Sequence, residues 1–180
     1  GGGGEEGGGG GRALGDTVYR EEEANRDLLE GLRRKAGVIH LAAHGRFRAD
    51  APLFSSIELA GGPLTVADIF SLQLGSALVT LSGCETGRAV IGGGDELAGL
   101  VRAFLYAGAA GLLVSQWRVE DASTAALMVR FYLELRQGAG FAQALRTAQM
   151  AFISSEVPQN GRQHPFMWAG FQIIGDDQRL

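Results

Sequence analysis

The sequence predicts an α/β fold with a mainly parallel sheet that carries helices on both faces. Three short segments, residues 38–43, 77–82 and 111–115, are apolar along almost their whole length, and helical patterns alternate with them. Strands of this kind are buried on both faces, which is typical of a parallel sheet covered by helices. The chain has 180 residues, 46% of them hydrophobic, which is enough for one domain with a substantial core.

The first eleven residues differ from the rest in composition. They are glycine apart from Glu5 and Glu6. Such a run has no apolar surface to bury, so we interpret residues 1–11 as a glycine-rich flexible segment or linker. The domain itself is expected to span residues 12–180.

Hydrophobic periodicity, glycines and one capping motif predict the remaining elements. Thr65 and Asp68 match a capping box, so a short helix should begin there and run to about Leu72. The other predicted elements are, in chain order, a helix over 20–35, strands over 38–43, 56–59 and 77–82, a helix over 95–106, a strand over 111–115, a helix from a capping Asp121 to Gln137 that Gly138 ends, a helix over 141–153 and a strand over 168–174. Residues 46–63, apart from their short strand, and residues 154–165 are expected to be loops.

Two chemically reactive side chains follow two of the predicted strands. His44 comes directly after the first apolar segment, and Cys84 follows the segment at 77–82. In open parallel sheets, ligands bind beyond the carboxyl ends of the strands. The sequence therefore predicts that His44 and Cys84 lie side by side at the ends of adjacent parallel strands.

A cysteine and a histidine so placed could cleave an acyl bond. The imidazole of His44 can take the thiol proton of Cys84 and later give it to the leaving amine. The backbone N–H groups of Gly45 and Cys84 could stabilise the oxyanion, since Gly45 and Gly83 have no side chain to obstruct a substrate carbonyl. We expect no metal or other cofactor, because one cysteine and three scattered histidines lack any ligand spacing.

Composition argues against several other functions. The formal net charge is -4 and no Lys/Arg-rich run stands out, so a nucleic-acid surface is not expected. The apolar stretches are too short to span a membrane, and the first residues lack the apolar core of a signal peptide. A lone cysteine suits a reducing compartment, which suggests the cytoplasm.

A series of motifs, in order along the chain, resembles the CHAT family. The match covers roughly Leu14 to Asp176. Its blocks are His40-Leu-Ala-Ala-His44-Gly45, Leu78-Val-Thr-Leu-Ser-Gly-Cys84-Glu-Thr-Gly87, Asp95-Glu-Leu-Ala-Gly-Leu-Val-Arg-Ala-Phe-Leu-Tyr-Ala-Gly108, Ser115-Gln-Trp-Arg-Val-Glu-Asp121, Leu127-Met-Val-Arg-Phe-Tyr132 and His164-Pro-Phe-Met-Trp-Ala-Gly-Phe171.

This resemblance implies a fold and an activity. It implies a caspase-like three-layer sandwich and a cysteine peptidase whose catalytic pair is His44 and Cys84. It also implies association with tetratricopeptide repeats in a longer parent protein. Two departures from the family pattern stand out. Gly83 replaces the usual alanine. The glycine run also stands where the family has further strands and helices, so part of the upstream half is expected to be missing.

Acidic residues near the predicted rim have two interpretations. Asp95, Glu96 and Asp121 could simply favour the N-termini of their helices. Together with Glu85, they could instead form a substrate-binding pocket for a basic P1 residue of a peptide that binds along a strand edge. We expect His40, inside a strand, to be a satisfied core or sheet-edge histidine rather than a catalyst. We read the glycine-rich loop at residues 87–94 as part of the active-site rim.

Three functions remain open from sequence. The first is a cysteine endopeptidase that cleaves a specific protein partner. The second is a non-catalytic regulatory or scaffold module that keeps the fold. The third is an acyltransferase or amidase that uses the same thiol chemistry. The retained His44 and Cys84 favour the first.

Overall fold

The computed structural model describes residues 23, 25–32, 37–48, 50–75, 77–82, 95–154 and 164–177, except for the side chains of residues 32 and 95–97. Its strands are β1 (Val38–Leu41), β2 (Gly45–Arg46), β3 (Ser56–Leu59), β4 (Gly62–Thr65), β5 (Leu78–Leu81), β6 (Gly111–Ser115) and β7 (Phe171–Gly175). Its α-helices are α1 (Arg26–Leu32), α2 (Val66–Ile69), α3 (Asp95–Tyr106), α4 (Asp121–Arg136) and α5 (Phe141–Ile153), and short 3-10 helices span Pro52–Phe54 and Pro165–Met167.

A four-stranded sheet in the order β1-β5-β6-β7 is the centre of the fold. β5 pairs in parallel with β1 on one side and with β6 on the other. A second, antiparallel sheet has the order β2-β3-β4. The fold is therefore mixed α/β with a mainly parallel central sheet, as the sequence predicts.

The described residues fall into two compact units. One comprises Tyr19–Arg118 with Ile174–Asp176, and it contains the antiparallel sheet, β1, β5, β6 and α3. The other contains Val119–Ile173 and Asp177, and α4 and α5 belong to it.

The core of the first unit explains why β5 and β6 are apolar along most of their length. Every residue of both strands is buried, so side chains on both faces of these strands are covered. Val79 and Val114 point into a cluster that also contains Leu100 and Phe104 of α3. In α3 the buried positions 100, 101, 103 and 104, together with Ala107 just beyond its end, follow helical spacing, which places one apolar stripe against the sheet.

Several predicted boundaries are wrong, and local hydrogen bonds explain two of them. β1 ends at Leu41 rather than at residue 43, and α2 ends at Ile69 rather than at about Leu72. The first helix begins at Arg26 rather than at residue 20, because the side chain of Asn25 accepts a hydrogen bond from the N–H of Leu28 and so caps it. The last strand begins at Phe171 rather than at residue 168, because Trp168 and Ala169 still donate to the carbonyl of Pro165. The N-cap of α4 is Glu120, so Asp121 is its first helical residue and not its cap.

Other predicted elements are confirmed. The helices over 95–106 and 141–153 and the strands over 56–59 and 111–115 have the predicted bounds. Gly138 has φ +86°, a conformation that favours glycine, and it follows Gln137, the C-cap of α4. Residues 20–22, 33–36 and 155–163 lie outside the described part of the chain.

The second unit is a helical hairpin fixed by polar contacts. Phe131 and Leu135 of α4 are buried, as are Phe141 and Leu145 of α5. The N–H of Ala142 donates to Oδ1 of Asp177 at 2.9 Å, so a residue beyond β7 caps α5. Midway along α5, Nε2 of Gln149 donates to the carbonyls of Trp168 and Phe171, each at 3.1 Å.

The capping box at α2 ties the antiparallel sheet to the core. Oγ1 of Thr65 accepts from the N–H of Asp68 at 3.1 Å, and Oδ2 of Asp68 accepts from the N–H of Thr65 at 3.0 Å. The hydrogen bond from the Thr65 hydroxyl is the largest cause that lowers the pKa of Asp68 below its ordinary value. Arg26 also donates to this carboxylate, from Nη1 to Oδ1 at 2.5 Å.

The first prediction tests this cap. Replacing Thr65 with alanine removes an acceptor for a helical N–H group, and we expect the free energy of unfolding to fall by about 1 kcal/mol. Thr65→Ser keeps the hydroxyl and should cost much less. Urea denaturation of both variants measures the difference, and equal losses would show that the hydroxyl does not stabilise the helix.

Candidate active site

The strands that precede His44 and Cys84 are neighbours. β1 and β5 run parallel with the register Val38↔Leu78 to Leu41↔Leu81, and the N–H of Ser82 continues the ladder by donating to the carbonyl of Leu41 at 3.3 Å. Both strands therefore end at the same edge of the sheet. His44 lies three residues beyond the end of β1, whereas Cys84 lies outside the described residues.

The backbone at His44 is fixed by the second sheet. Its carbonyl accepts a hydrogen bond from the N–H of Glu58 in β3 at 2.8 Å. β2 begins at the next residue, and Gly45 is paired with Ile57. His44 itself is exposed, whereas Gly45 is buried. The histidine is thus anchored by its main chain while its imidazole remains open to solvent.

The pairing pattern also fixes the direction of the Gly45 N–H group. Because the N–H of Glu58 bonds to the carbonyl of His44, the pair Gly45–Ile57 is the non-hydrogen-bonded kind in this antiparallel ladder. The N–H of Gly45 then points away from β3. Among the described strands β2 lies at the edge of its sheet, so this donor is not used by the ladder.

Charged side chains lie on the same side of the antiparallel sheet as His44. By register, His44 is opposite Glu58 and Arg46 is opposite Ser56. The carboxylate Oε1 of Glu58 accepts from Oγ of Ser56 at 2.9 Å and lies 3.5 Å from Nε of Arg46. The Arg46 side chain is 73% exposed. An ion pair and a hydrogen bond therefore fix the carboxylate opposite the candidate catalytic histidine.

Of the antiparallel sheet, only β3 was predicted from the sequence, and β2 and β4 were not. The segment Gly61-Gly62-Pro63 between Ser56–Leu59 and Leu64 is a turn signal, and Ser56-Ile-Glu-Leu59 alternates polar with apolar residues. Together they are typical of a hairpin. Glu58 was consequently not among the predicted site residues.

His40 is a partnered histidine, as predicted. It belongs to β1, which lies at one edge of the described four-stranded sheet. Its Nε2 lies 2.7 Å from Oγ of Ser82. Burial lowers its pKa to about 4, because desolvation disfavours the imidazolium ion. The ring is therefore neutral near neutral pH.

The structure describes only some of the other predicted site residues. Asp95 and Glu96 open α3, as predicted, but nothing is described of their side chains. Glu85 and the loop at residues 87–94 lie outside the described residues. Asp121 is exposed in the first turn of α4 and belongs to the other unit. An acidic pocket that joins these residues is thus a matter for experiment.

Comparison with known proteins identifies the family. The family model described as "CHAT domain" matches residues 8–176, which is most of the chain. The chain belongs to the CHAT family.

The chain is similar to a small part of two curated relatives. The chain is 38% identical over 139 residues to tetratricopeptide repeat protein 28 of Homo sapiens, which covers 77% of this chain and 5% of that protein. It is 37% identical over 117 residues to tetratricopeptide repeat protein 28 of Mus musculus, which covers 65% of this chain and again 5% of the relative. The chain therefore spans about a twentieth of the length of the curated relatives that it matches. Both relatives are named for tetratricopeptide repeats, which agrees with the association that the resemblance implies.

Other features of the CHAT domain concern residues outside the candidate dyad. His164 is exposed, and its Nδ1 accepts from the N–H of Phe166 at 3.2 Å, so it caps a 3-10 helix. In the described part of the chain, no three His, Cys, Asp or Glu residues are grouped so that they could hold a metal ion. None of the helices in that part is long and apolar enough to cross a membrane.

The second prediction follows from the half-buried His40, whose pKa desolvation lowers. Between pH 6.5 and about 4 the unfolded chain binds a proton that the folded histidine does not, so stability should fall as the pH drops through this window and be retained above it. A shift of this size corresponds to about 3 kcal/mol at the acid end. In His40→Gln the free energy of unfolding should no longer show the part of its pH dependence that is due to His40.

The matched control is His164→Gln, since His164 is exposed. This variant removes the surface contact in which Nδ1 of His164 accepts from the N–H of Phe166, so we expect some loss of stability but not the pH-dependent loss of about 3 kcal/mol assigned to His40. Identical pH profiles for the two variants would contradict the assignment of His40 as a half-buried neutral base.

Proposed function

We propose that this CHAT domain is a cysteine endopeptidase that cleaves a specific protein partner through a dyad of His44 and Cys84. The observation that carries the proposal is the parallel pairing of β1 with β5, which brings the segments leading to both residues to one edge of the sheet. The exposed position of His44 is consistent with access to a substrate.

The proposed chemistry has two stages. His44 accepts the thiol proton, and the thiolate of Cys84 attacks the carbonyl carbon of the scissile peptide. His44 then protonates the leaving amine, and water hydrolyses the acyl-enzyme. The tetrahedral oxyanion would accept hydrogen bonds from the N–H groups of Gly45 and Cys84. The direction of the Gly45 N–H away from β3 supports this role, and a donor of this kind is typically worth about 3 kcal/mol of transition-state stabilisation.

The domain organisation belongs to the same proposal. We assign residues 12–180 to one caspase-like CHAT peptidase domain with helices on both faces of its sheet, and residues 1–11 to a linker. The complete burial of β5 and β6 supports cover on both faces. A protein or peptide substrate, a tetratricopeptide-repeat parent protein and a cytoplasmic location complete the proposal.

The proposal extends to substrate preference. An acidic pocket formed from Asp95 and Glu96, with Glu85 and Asp121 as further candidates, would select a basic P1 residue. The alternative is that Asp95 and Glu96 act only at the N-terminus of α3, which is worth about 0.3–1 kcal/mol to stability.

A second candidate function is a non-catalytic regulatory or scaffold module that keeps the caspase-like fold. The observation that favours it is the size of the relatives, of which this domain covers 5% and whose names refer only to the repeats. An electrophilic peptide probe separates the two functions, because only the peptidase should be labelled on Cys84.

The third prediction concerns the dyad. Cys84→Ala and His44→Ala should each abolish cleavage of a native protein substrate, and the double variant should be little worse than either, since residues that act as a unit are not additive. Steady-state cleavage assays test this. His164→Gln should retain activity. Cleavage that survives Cys84→Ala would place the nucleophile elsewhere.

The fourth prediction concerns the acidic pocket. Asp95→Asn keeps size and hydrogen-bonding capacity but removes the charge. If Asp95 meets a basic P1 side chain, a charge-assisted pair of roughly 1.5–3 kcal/mol is lost. Turnover of Arg and Lys substrates should then fall about 10- to 100-fold with a modest change in melting temperature.

A peptide-library profile of the unmodified chain provides the control. Enrichment of basic P1 residues is expected. A profile without such enrichment would end the pocket hypothesis and leave the dyad assignment intact.

A further inference from the structure

We propose that His40 and Ser82 form a positioning pair that holds the segment leading to Cys84 in register with the segment leading to His44. This role rests on the proposed peptidase function, because it assigns a task to two residues that the catalytic steps do not use. His40 would be a positioning residue, since it acts through Ser82 and not on the substrate.

Ser82 is held at two points by one strand. Its N–H donates to the carbonyl of Leu41 at 3.3 Å, and its Oγ lies 2.7 Å from Nε2 of His40. His40 is paired with Thr80, two residues before Ser82, so the His40 and Ser82 side chains lie on the same face of the sheet. The side-chain contact is the shorter of the two, and it adds a second restraint at the end of β5.

β1, which contacts Ser82, also leads to His44, the second residue of the proposed dyad. β1 contributes both partners of Ser82 and then continues to His44, three residues beyond Leu41. Cys84 lies two residues beyond Ser82. A restraint between His40 and Ser82 therefore acts two residues before Cys84 in sequence, on the strand that leads to His44. A displacement of about 1 Å in a catalytic group can cost about 100-fold in rate.

Burial makes His40 suitable for this role. A charged imidazolium inside the sheet would be costly, and the lowered pKa of about 4 keeps the ring neutral at the pH where a cysteine peptidase works. A neutral ring can either accept a hydrogen bond from the Ser82 hydroxyl or donate one to it, depending on the tautomer. The contact then persists without placing a second positive charge near the dyad.

The 2.7 Å between Oγ of Ser82 and Nε2 of His40 is also typical of a serine nucleophile and its general base. On that alternative, Ser82 would attack the substrate and His40 would take its proton. The alternative predicts reaction of Ser82 with a fluorophosphonate probe, and total loss of cleavage in Ser82→Ala.

The test compares four variants of the full chain by kcat and KM on a native protein substrate. His40→Leu and Ser82→Ala remove the hydrogen bond from either side. His40→Gln keeps an amide near the position of Nε2, and His164→Gln is the exposed control. We expect kcat to fall about 10- to 100-fold in the first two variants with KM changed less than about threefold, and the double variant His40→Leu/Ser82→Ala to be no worse than either. His40→Gln should recover most of kcat.

The outcomes separate this inference from the proposed function. If the unmodified chain cleaves its substrate and His40→Leu has the same kcat, the positioning role is wrong while the dyad stands. Additive losses in the double variant, or fluorophosphonate labelling of Ser82, would overturn it as well. If the unmodified chain neither cleaves nor reacts at Cys84 with an electrophilic peptide probe, the proposed function fails, and the positioning role fails with it.

Discussion

The parallel pairing of β1 with β5 is the constraint on which the account of this CHAT domain depends. Four residues of each strand are aligned, from Val38↔Leu78 to Leu41↔Leu81, and β5 is buried on both faces. A slip of one residue would turn every side chain of β1 to the other face, including the buried Ile39, and this disfavours other registers. Because β1 and β5 run in the same direction, their pairing places the residues that follow each strand at the same edge of the sheet.

The antiparallel sheet makes a second and separate contribution. It takes up the chain directly after His44, with Gly45 paired to Ile57, and so limits where that residue can go. A loop in this place would leave the backbone of His44, the proposed general base, less well fixed. A short strand positions the main chain without covering the side chain, and it aims the N–H of Gly45 away from its own ladder. Together the two sheets fix the main chain on both sides of the segment that leads to His44.

The sequence predicted those parts of the fold that carry a long or uninterrupted signal. The helix Asp95–Tyr106 and the strand Gly111–Ser115 have the predicted bounds because each is an apolar pattern between clear turn residues. β2 was missed because a strand of two residues shows no periodicity, and β4 because Pro63 argues against a strand except at an edge. The residue types and chain order suggested His44 and Cys84, but the carboxylate of Glu58 could not be found without knowledge of the hairpin. The contact between His40 and Ser82 depends on register, which sequence alone did not supply.

The central claim is that β1 and β5 bring position 44 and Cys84 together, and it can be tested without any assay of activity. Cys84 is the one cysteine of the chain, so His44→Cys introduces a single new thiol. A short bifunctional thiol reagent such as dibromobimane should then cross-link residues 44 and 84, as read by mass spectrometry of the digested protein. Gln73→Cys is the matched control, because Gln73 is exposed and precedes the opposite end of β5. Efficient cross-linking in His44→Cys alone is the predicted result. No cross-link in that variant, or equal cross-linking in Gln73→Cys, would contradict the account.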